Sequence, residues 1–286
     1  MQKTSASFPG ILYVVATPIG NLDDITFRAI NTLKSVDAIL AEDTRHSAQL
    51  CHALGIQKPL MSLHAHNESE KGEQIIAALL QGQSFALISD AGTPLISDPG
   101  FILVKRAQEE NIRVVPIPGA CALITALCAA GIPCDSFTFI GFLPAKSTAR
   151  REKLNALKNN SHTVIFYEST HRIIECLNDF SDVYGAESNL VLAKELTKNF
   201  EHFIHASAEK IKEWLLAESG RTKGEFVLII PPAIEKKSAT FDDRILQILL
   251  KELPLKQAVK LTAQITDQPR NELYKYAVQS RGDVQE

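Results

Sequence analysis

Residues 89–100 (SDAGTPLISDPG) gather the residue types that let a small molecule approach a backbone closely. Gly92, Pro94, Pro99 and Gly100 set tight turns, and Asp90, Thr93 and Ser97 add polar groups. The run holds no lysine or arginine. A phosphate cradle of the Walker kind pairs its glycines with a lysine, so an uncharged or cationic ligand fits better here. The plain alternative is two consecutive turns. A second run, residues 16–24 (ATPIGNLDD), follows an apolar segment. Its Pro and Gly suit a strand-to-helix turn, and Asn21 or Asp23 is placed to cap the next helix. It is not G-x-G-x-x-G, so it is no dinucleotide fingerprint. A third, residues 117–122 (IPGACA), opens a helix with small residues. These either line a cleft or pack closely, with Cys121 as a small hydrophobe.

Two clusters carry groups that move protons. One holds Glu42, Asp43, Thr44, Arg45 and His46, followed by His64, His66, Asn67 and Glu68. On a strand, His64 and His66 would share a face. Without H-E-x-x-H or a third spaced ligand no metal is expected, and a polar rim for substrate or acid–base work fits better. The other cluster is residues 166–172 (FYESTHR). Tyr167 there either stacks on a ring or fills a core. Glu168 accepts a proton or a hydrogen bond, and Ser169 or Thr170 could cap a helix. Two basic stretches complete the set. Lys146, Arg150, Arg151 and Lys153 stand against Glu152. In the tail Lys251, Lys256, Lys260, Arg270, Lys275 and Arg281 outnumber Glu252, Asp267 and Glu272, with Tyr274 and Tyr276 interleaved. Such patches suit phosphate backbones, or are solvated faces.

Short β-branched runs alternating with amphipathic stretches must position these groups. Strands are expected at 11–16, 38–41, 85–89 and 113–116, with helices at 25–33, 47–54, 75–80 and 102–108. This βαβα rhythm argues for a mostly parallel sheet with helices on both faces. Residues 116–119 (PIPG) mark a boundary. A second set follows: helices at 120–130, 149–157, 172–180 and 208–217, and strands at 137–141, 163–167, 190–193, 200–205 and 226–230. Several strands there sit close together, so this sheet is expected to be mixed. Beyond Pro231 and Pro232 no strand signal remains, and three helices are expected at 242–250, 255–265 and 270–279. The last two resemble a helix-turn-helix pair. The division is then 1–10 as a flexible N-terminus, 11–117 and 118–232 as α/β domains, and 233–286 as a helical region.

Composition agrees with this plan. The chain has 286 residues, 45% of them hydrophobic, with 14 Gly and 13 Pro, which excludes a disordered or collagen-like chain. A formal charge of -3 excludes a polyanion binder driven by bulk charge. Five cysteines without C-x-x-C spacing point to reduced thiols and a cytoplasmic setting. The apolar stretch 114–134 is broken by prolines and glycines. It reads as a buried helix of a soluble protein, with no membrane partner.

The blocks 12–24 (LYVVATPIGNLDD), 41–46 (AEDTRH), 63–68 (LHAHNE) and 89–100 occur in order. After them come 141–146 (GFLPAK), 166–172, 194–198 (KELTK) and 223–228 (KGEFVL). With them the chain closely resembles the rRNA-methylating members of the tetrapyrrole methylase superfamily, from about residue 11 into the tail. The resemblance implies two α/β domains with S-adenosylmethionine in the cleft between them. It also implies a homodimer, and methylation of the ribose 2′-hydroxyl of a decoding-centre cytidine in 16S rRNA of the small ribosomal subunit. Carried over by motif, Pro18 lies at the cofactor, and Asp90, Ala91, Gly92, Thr93 and Ile96 wrap its methionine part and sulfonium. Cys121 and Ala122 stand at the small or hydroxyl positions after Pro-Gly. Tyr167, Ala193 and Gly224 close around adenosine. The sequence departs from the pattern at Ala120, where relatives often have proline, and at Lys194, where they often have arginine. A general base is expected among Asp43, His46, His64, His66 and Glu168. RNA contacts are expected from Lys146, Arg150, Arg151, Lys256, Lys260, Arg270 and Lys275. The rival readings are a methylase of a small tetrapyrrole-like substrate and a non-catalytic RNA-binding module. The basic tail argues against the first, the small-residue loops against the second.

Overall fold

The computed structural model describes residues 9–233, 243–266 and 268–282. The expectations for residues 1–8 and for a helix start at 242 lie outside the described residues. The first half alternates strand and helix: β1 (Ile11–Val15), α1 (Phe27–Ser35), β2 (Ala38–Ala41), α2 (Thr44–Ala53), β3 (Leu60–Ser62), α3 (Glu68–Leu80), β4 (Phe85–Ile88), α4 (Phe101–Glu109) and β5 (Arg113–Ile117). All pairings are parallel, in the order β3-β2-β4-β1-β5. Parallel strands need crossover helices, and these cover both faces. Leu12, Leu40 and Leu87 bury against Ile75, Leu79 and Leu103 of α3 and α4. Val15, Ile39, Ala41 and Ile88 bury against Ala29, Leu33 and Cys51 of α1 and α2.

Two details correct the sequence reading. A short edge strand, β3, precedes His64, so His64 and His66 sit in the turn between β3 and α3 and not on a strand. The cap of α1 is Thr26, whose hydroxyl accepts from the Ala29 N–H at 3.1 Å; Asn21 caps only a short 3-10 turn. Pro116 lies inside β5, opposite Val14. An edge strand tolerates the missing N–H.

The second half comprises α5 (Ala122–Ala129), β6 (Phe137–Phe142), α6 (Ser147–Leu157), β7 (Thr163–Ser169), α7 (Ile173–Tyr184), β8 (Asn189–Lys194), β9 (His202–Ser207), α8 (Ala208–Leu216) and β10 (Glu225–Ile230). Its sheet has the order β6-β7-β10-β8-β9 and is mixed: only β6 and β7 run parallel. One face packs Val164, Phe166, Leu192 and Leu228 on α6, α7 and α8. The other packs Ile165, Ala193, Val227 and Ile229 on α5 and on Ile19 of the first half. Both sheets belong to one compact unit ending at Ala233. No helix among the described residues is long and apolar enough to cross a membrane.

A second unit holds α9 (Arg244–Glu252), α10 (Leu255–Thr266) and α11 (Arg270–Gly282). Its small core is Leu246, Ala258, Val259, Leu273 and Ala277. The Tyr276 hydroxyl donates to Asp243 at 2.7 Å, which ties α11 to the start of α9.

Candidate active site

In an open α/β sheet, ligands gather beyond the carboxyl ends of the strands where the strand order reverses. Here that point lies between β1 and β4, because β2 follows on one side and β5 on the other. The two loops leaving these strands are stitched together. Thr17 N–H donates to the Gly92 carbonyl at 2.8 Å and Gly92 N–H to the Thr17 carbonyl at 3.1 Å. The Thr17 hydroxyl adds a bond to the Ser89 carbonyl at 3.2 Å. Gly92 has φ +83°, and a Cβ there would come within 3.1 Å of Ile19 Cγ2. Leu95 and Ser97 also hold positive φ, 71° and 74°, a strain that side-chain-bearing residues carry only where surroundings enforce it.

Over this loop opens a cavity of about 470 Å³, within the usual range for small-molecule sites. The first sheet contributes Ile19, Glu42, Asp98 and the stretch from Asp90 to Thr93, then Ile96 and Ser97. Cys121 and Ala122 come from the start of α5. The second sheet contributes Phe142, Tyr167 and the residues after it, and Gly224–Val227. The Thr93 hydroxyl donates to the Ala120 carbonyl at 3.0 Å, and the Tyr167 hydroxyl accepts the Leu123 N–H at 3.0 Å. Burial pushes the Tyr167 phenol well above its ordinary range. Its ring meets Phe139 and Phe142 edge to face, with centroids 4.9 and 5.8 Å away. Phe142 reaches the cavity because β6 shifts register between Phe139 and Phe142, and a bulge of this kind re-aims a side chain.

The described lining has no lysine or arginine, and it holds three carboxylates close enough to feel one another. Burial raises Glu42 above its ordinary value, with Asp90 adding to the rise and His64 opposing it. Burial likewise pushes Asp98 up to about 6, helped by the charges of Glu42 and Asp90. Asp90 is the anchored member: its Oδ1 accepts the Asp43 N–H at 3.1 Å. Small side chains, apolar walls and a negative field suit an organic cation. S-adenosylmethionine, a nucleoside with a sulfonium, fits these residues.

Nine of the eleven expected cofactor residues line the cavity: Asp90, Ala91, Gly92, Thr93, Ile96, Cys121, Ala122, Tyr167 and Gly224. Pro18 and Ala193 do not. Pro18 precedes Ile19, which does, and Ala193 lies fully buried beneath, paired with Val227. The expected proton acceptors fare differently. Asp43 lies outside the lining and is bound by Arg45 at 2.8 Å, which holds its carboxyl far below the usual carboxylate range. His46 and His66 are exposed and, with His64, lie outside the lining. The His64 ring contacts the Asn67 amide at 3.2 Å. Glu168 touches the cavity, but strand alternation turns its side chain with Phe166 toward α7, where Arg172 lies 3.4 Å from it. Glu68 is structural: its carboxylate accepts the Leu103 N–H in the first turn of α4.

The basic set divides as well. Lys146 is exposed. Arg150 is not: its side chain is fully buried and its Nε donates to Asp179 at 2.6 Å, so it cannot meet a phosphate backbone. Arg151 is half-exposed but also committed to Asp179, at 2.8 Å. In the second unit Lys256, Lys260, Arg270 and Lys275 are exposed. No group of three or more His, Cys, Asp or Glu among the described residues is arranged to hold a metal ion. Among the lining residues that the sequence reading did not single out are Asp98, Phe142 and His171. Asp98 passes for a turn former before Pro99, and Phe142 needs a bulge that no pattern announces.

Residues 11–212 match the family described as Tetrapyrrole (Corrin/Porphyrin) Methylases, and residues 237–281 match the RsmI C-terminal HTH domain. The chain is 52% identical to ribosomal RNA small subunit methyltransferase I of Haemophilus influenzae, covering 94% of this chain and 96% of that protein. It is 50% identical to the protein of the same name from Pseudomonas aeruginosa, covering 96% and 98%. Among solved structures it is similar in fold to uroporphyrin-III-C-methyltransferase of Thermus thermophilus, with TM-score 0.55, 18% identity and coverage of 77% and 94%. It is also similar to a cobalt precorrin-4 methyltransferase, with TM-score 0.54, 18% identity and coverage of 77% and 94%. A cavity at the strand-order reversal, its Gly-rich floor and these similarities converge: the chain belongs to the tetrapyrrole methylase family and, within it, to the ribosomal RNA small subunit methyltransferase I group.

Proposed function

We propose that this chain is an S-adenosylmethionine-dependent methyltransferase acting on the ribose 2′-hydroxyl of a decoding-centre cytidine in 16S rRNA. The observation that supports the reading most is the cavity: about 470 Å³, free of lysine and arginine among its described residues, and floored by the Gly92 loop. The near-full-length similarity to small-subunit rRNA methyltransferases supplies the substrate class. S-adenosylmethionine supplies an electrophilic methyl group on a sulfonium. Backbone groups of Ala91, Gly92 and Thr93 hold its methionine portion, while Ala122, Tyr167 and Gly224 close on the adenosine. Asp90 and Glu42 give the local field a sign that favours a cation. Rate comes largely from holding acceptor oxygen and methyl carbon in line, so rigid walls matter.

The second unit supplies RNA affinity through Lys256, Lys260, Arg270 and Lys275, joined by Lys146 from the first. The target nucleotide must leave its stack for its hydroxyl to reach the cavity. The chain acts as a homodimer in the cytoplasm, where its substrate is made. Incubating the purified chain with labelled donor and small subunits from cells lacking this activity should place one methyl group on a ribose, mapped by blockage of alkaline cleavage. Label on a base, or none, overturns the reading. Label on a tetrapyrrole instead favours the rival. Light scattering of the chain at the mass of a monomer would overturn the dimer.

A further inference from the structure

Each carboxylate around the cavity can be asked what holds it. Asp90 accepts the Asp43 N–H. Glu168 faces Arg172 and its own Ser169 N–H. Glu225 is paired with Lys198 at 2.9 Å. Asp98 lines the same cavity, and among the described residues its carboxylate has neither a hydrogen bond nor an ion pair. It sits directly after Ser97, whose φ of 74° turns the loop. On the far side, a Cβ at Gly141 would lie 3.5 Å from Ser97 Oγ, so the β6 bulge abuts this loop. That bulge delivers Phe142, half-exposed at 51%, to the lining. A free carboxylate and an open aromatic face therefore line one cavity, on segments that approach each other through Ser97 and Gly141.

We infer that Asp98 is the catalytic residue that takes the proton of the attacking ribose hydroxyl, with the target nucleotide stacked on Phe142. Asp98 accepts the O–H proton as the oxygen–methyl bond forms. The methyl–sulfur bond breaks with its electron pair staying on sulfur, which leaves as a neutral thioether. The proton later passes from the carboxyl to water. The groups facing Asp98 set it up for this. Glu42 from the end of β2 and Asp90 from the end of β4 both raise its proton affinity. Tyr167 of β7 is a neutral neighbour that in turn feels the Asp98 charge, His171 lines the opposite wall, and His64 acts on Glu42. With Asp98 pushed up to about 6, it is a stronger base than an ordinary carboxylate and still ionised at neutral pH, the balance that general-base catalysis requires. Glu42 is also unpaired among the described residues, but the charge of His64 acts on it and opposes the rise in its proton affinity.

This inference rests on the reading of the cavity as the methyl-donor site. Single-turnover transfer to small subunits, at donor concentrations made saturating by calorimetry, tests it across pH. The unaltered chain should show a rate rising tenfold per pH unit below about 6 and level above it. Asp98→Asn should fall about 100-fold or more at neutral pH and lose that dependence, while still binding donor. Glu42→Gln should shift the rise to lower pH. A second readout needs neither donor nor RNA: in chain labelled with ¹³C at aspartate carboxyls, the resonance absent from Asp98→Asn should titrate near 6. Transfer by Asp98→Asn within threefold of the unaltered chain, or titration of that resonance near 3.8, overturns the inference while leaving the methyltransferase reading in place. Failure of the unaltered chain to methylate ribose overturns both.

Discussion

Asp98 illustrates a cost carried by a single side chain. Its carboxyl holds a proton up to about 6 in the folded chain, against an ordinary 3.8. Between those values the folded state binds more protons than the unfolded one, so stability falls as pH rises through this window. Asp98→Asn removes the charge and should stabilise the protein above pH 6 by about 1 kcal/mol, after allowance for solvent screening. Near pH 4 the gain should vanish, and thermal melts at the two pH values compare them directly. Arg150 is the opposite case. Fully buried and bonded to Asp179, it pins α6 to α7. Arg150→Ala removes one partner of Asp179, leaving Arg151 and Ser147, and should cost about 1.5–3 kcal/mol in urea unfolding, with no change in the salt dependence of RNA binding. Counting charges along the chain placed Arg150 among the RNA contacts, because a partner 29 residues away is invisible to composition. Asp98 was overlooked for a related reason: beside Pro99 it has the look of a turn residue, and only the cavity gives it a second role.

At the scale of elements, the loop from Asp90 to Gly100 is where geometry is tightest. Gly92→Ala puts a methyl group 3.1 Å from Ile19 at a φ of +83°. Left-handed backbone costs a non-glycine residue about 1–2 kcal/mol, so the melting temperature should drop and donor affinity, read by calorimetry, should weaken at least tenfold. Gly55, also at positive φ but with open space around it, is the control: its alanine variant should lose only stability. This loop was legible in the sequence because glycine, proline and hydroxyl residues advertise turns. The parallel rhythm of the first sheet was legible because four-residue apolar strands such as β2 and β4 are buried on both faces. β3 was not. It is three residues long, half-buried and at the sheet edge, too short to show any period, and its absence misplaced the two histidines that follow it. The β6 bulge was hidden too, since register is a property of pairs of strands.

For the molecule as a whole, the division into two units makes a clean expectation. A chain ended at Ala233 retains both sheets and every residue of the cavity lining. It should bind the donor within about twofold of the full chain and lose most of its RNA affinity. Replacing Lys256 and Lys260 by alanine in the full chain should lower the slope of log affinity against log salt by about 0.7–0.9 per residue; an unchanged slope removes them from the RNA contact. The three tail helices were readable from their period and from Pro254 and Pro269 at the starts of α10 and α11. What could not be read is how the two sheets share a cavity, because that depends on the short passage from β5 to α5. Where that passage enters α5 it is tied to both walls, the Ala120 carbonyl to Thr93 and the Leu123 N–H to Tyr167. These two bonds brace the segment where a hinge would have to flex. Reactant and spent by-product are then expected to trade places by way of the rim, past Phe142, through a doorway and without a swing of the halves.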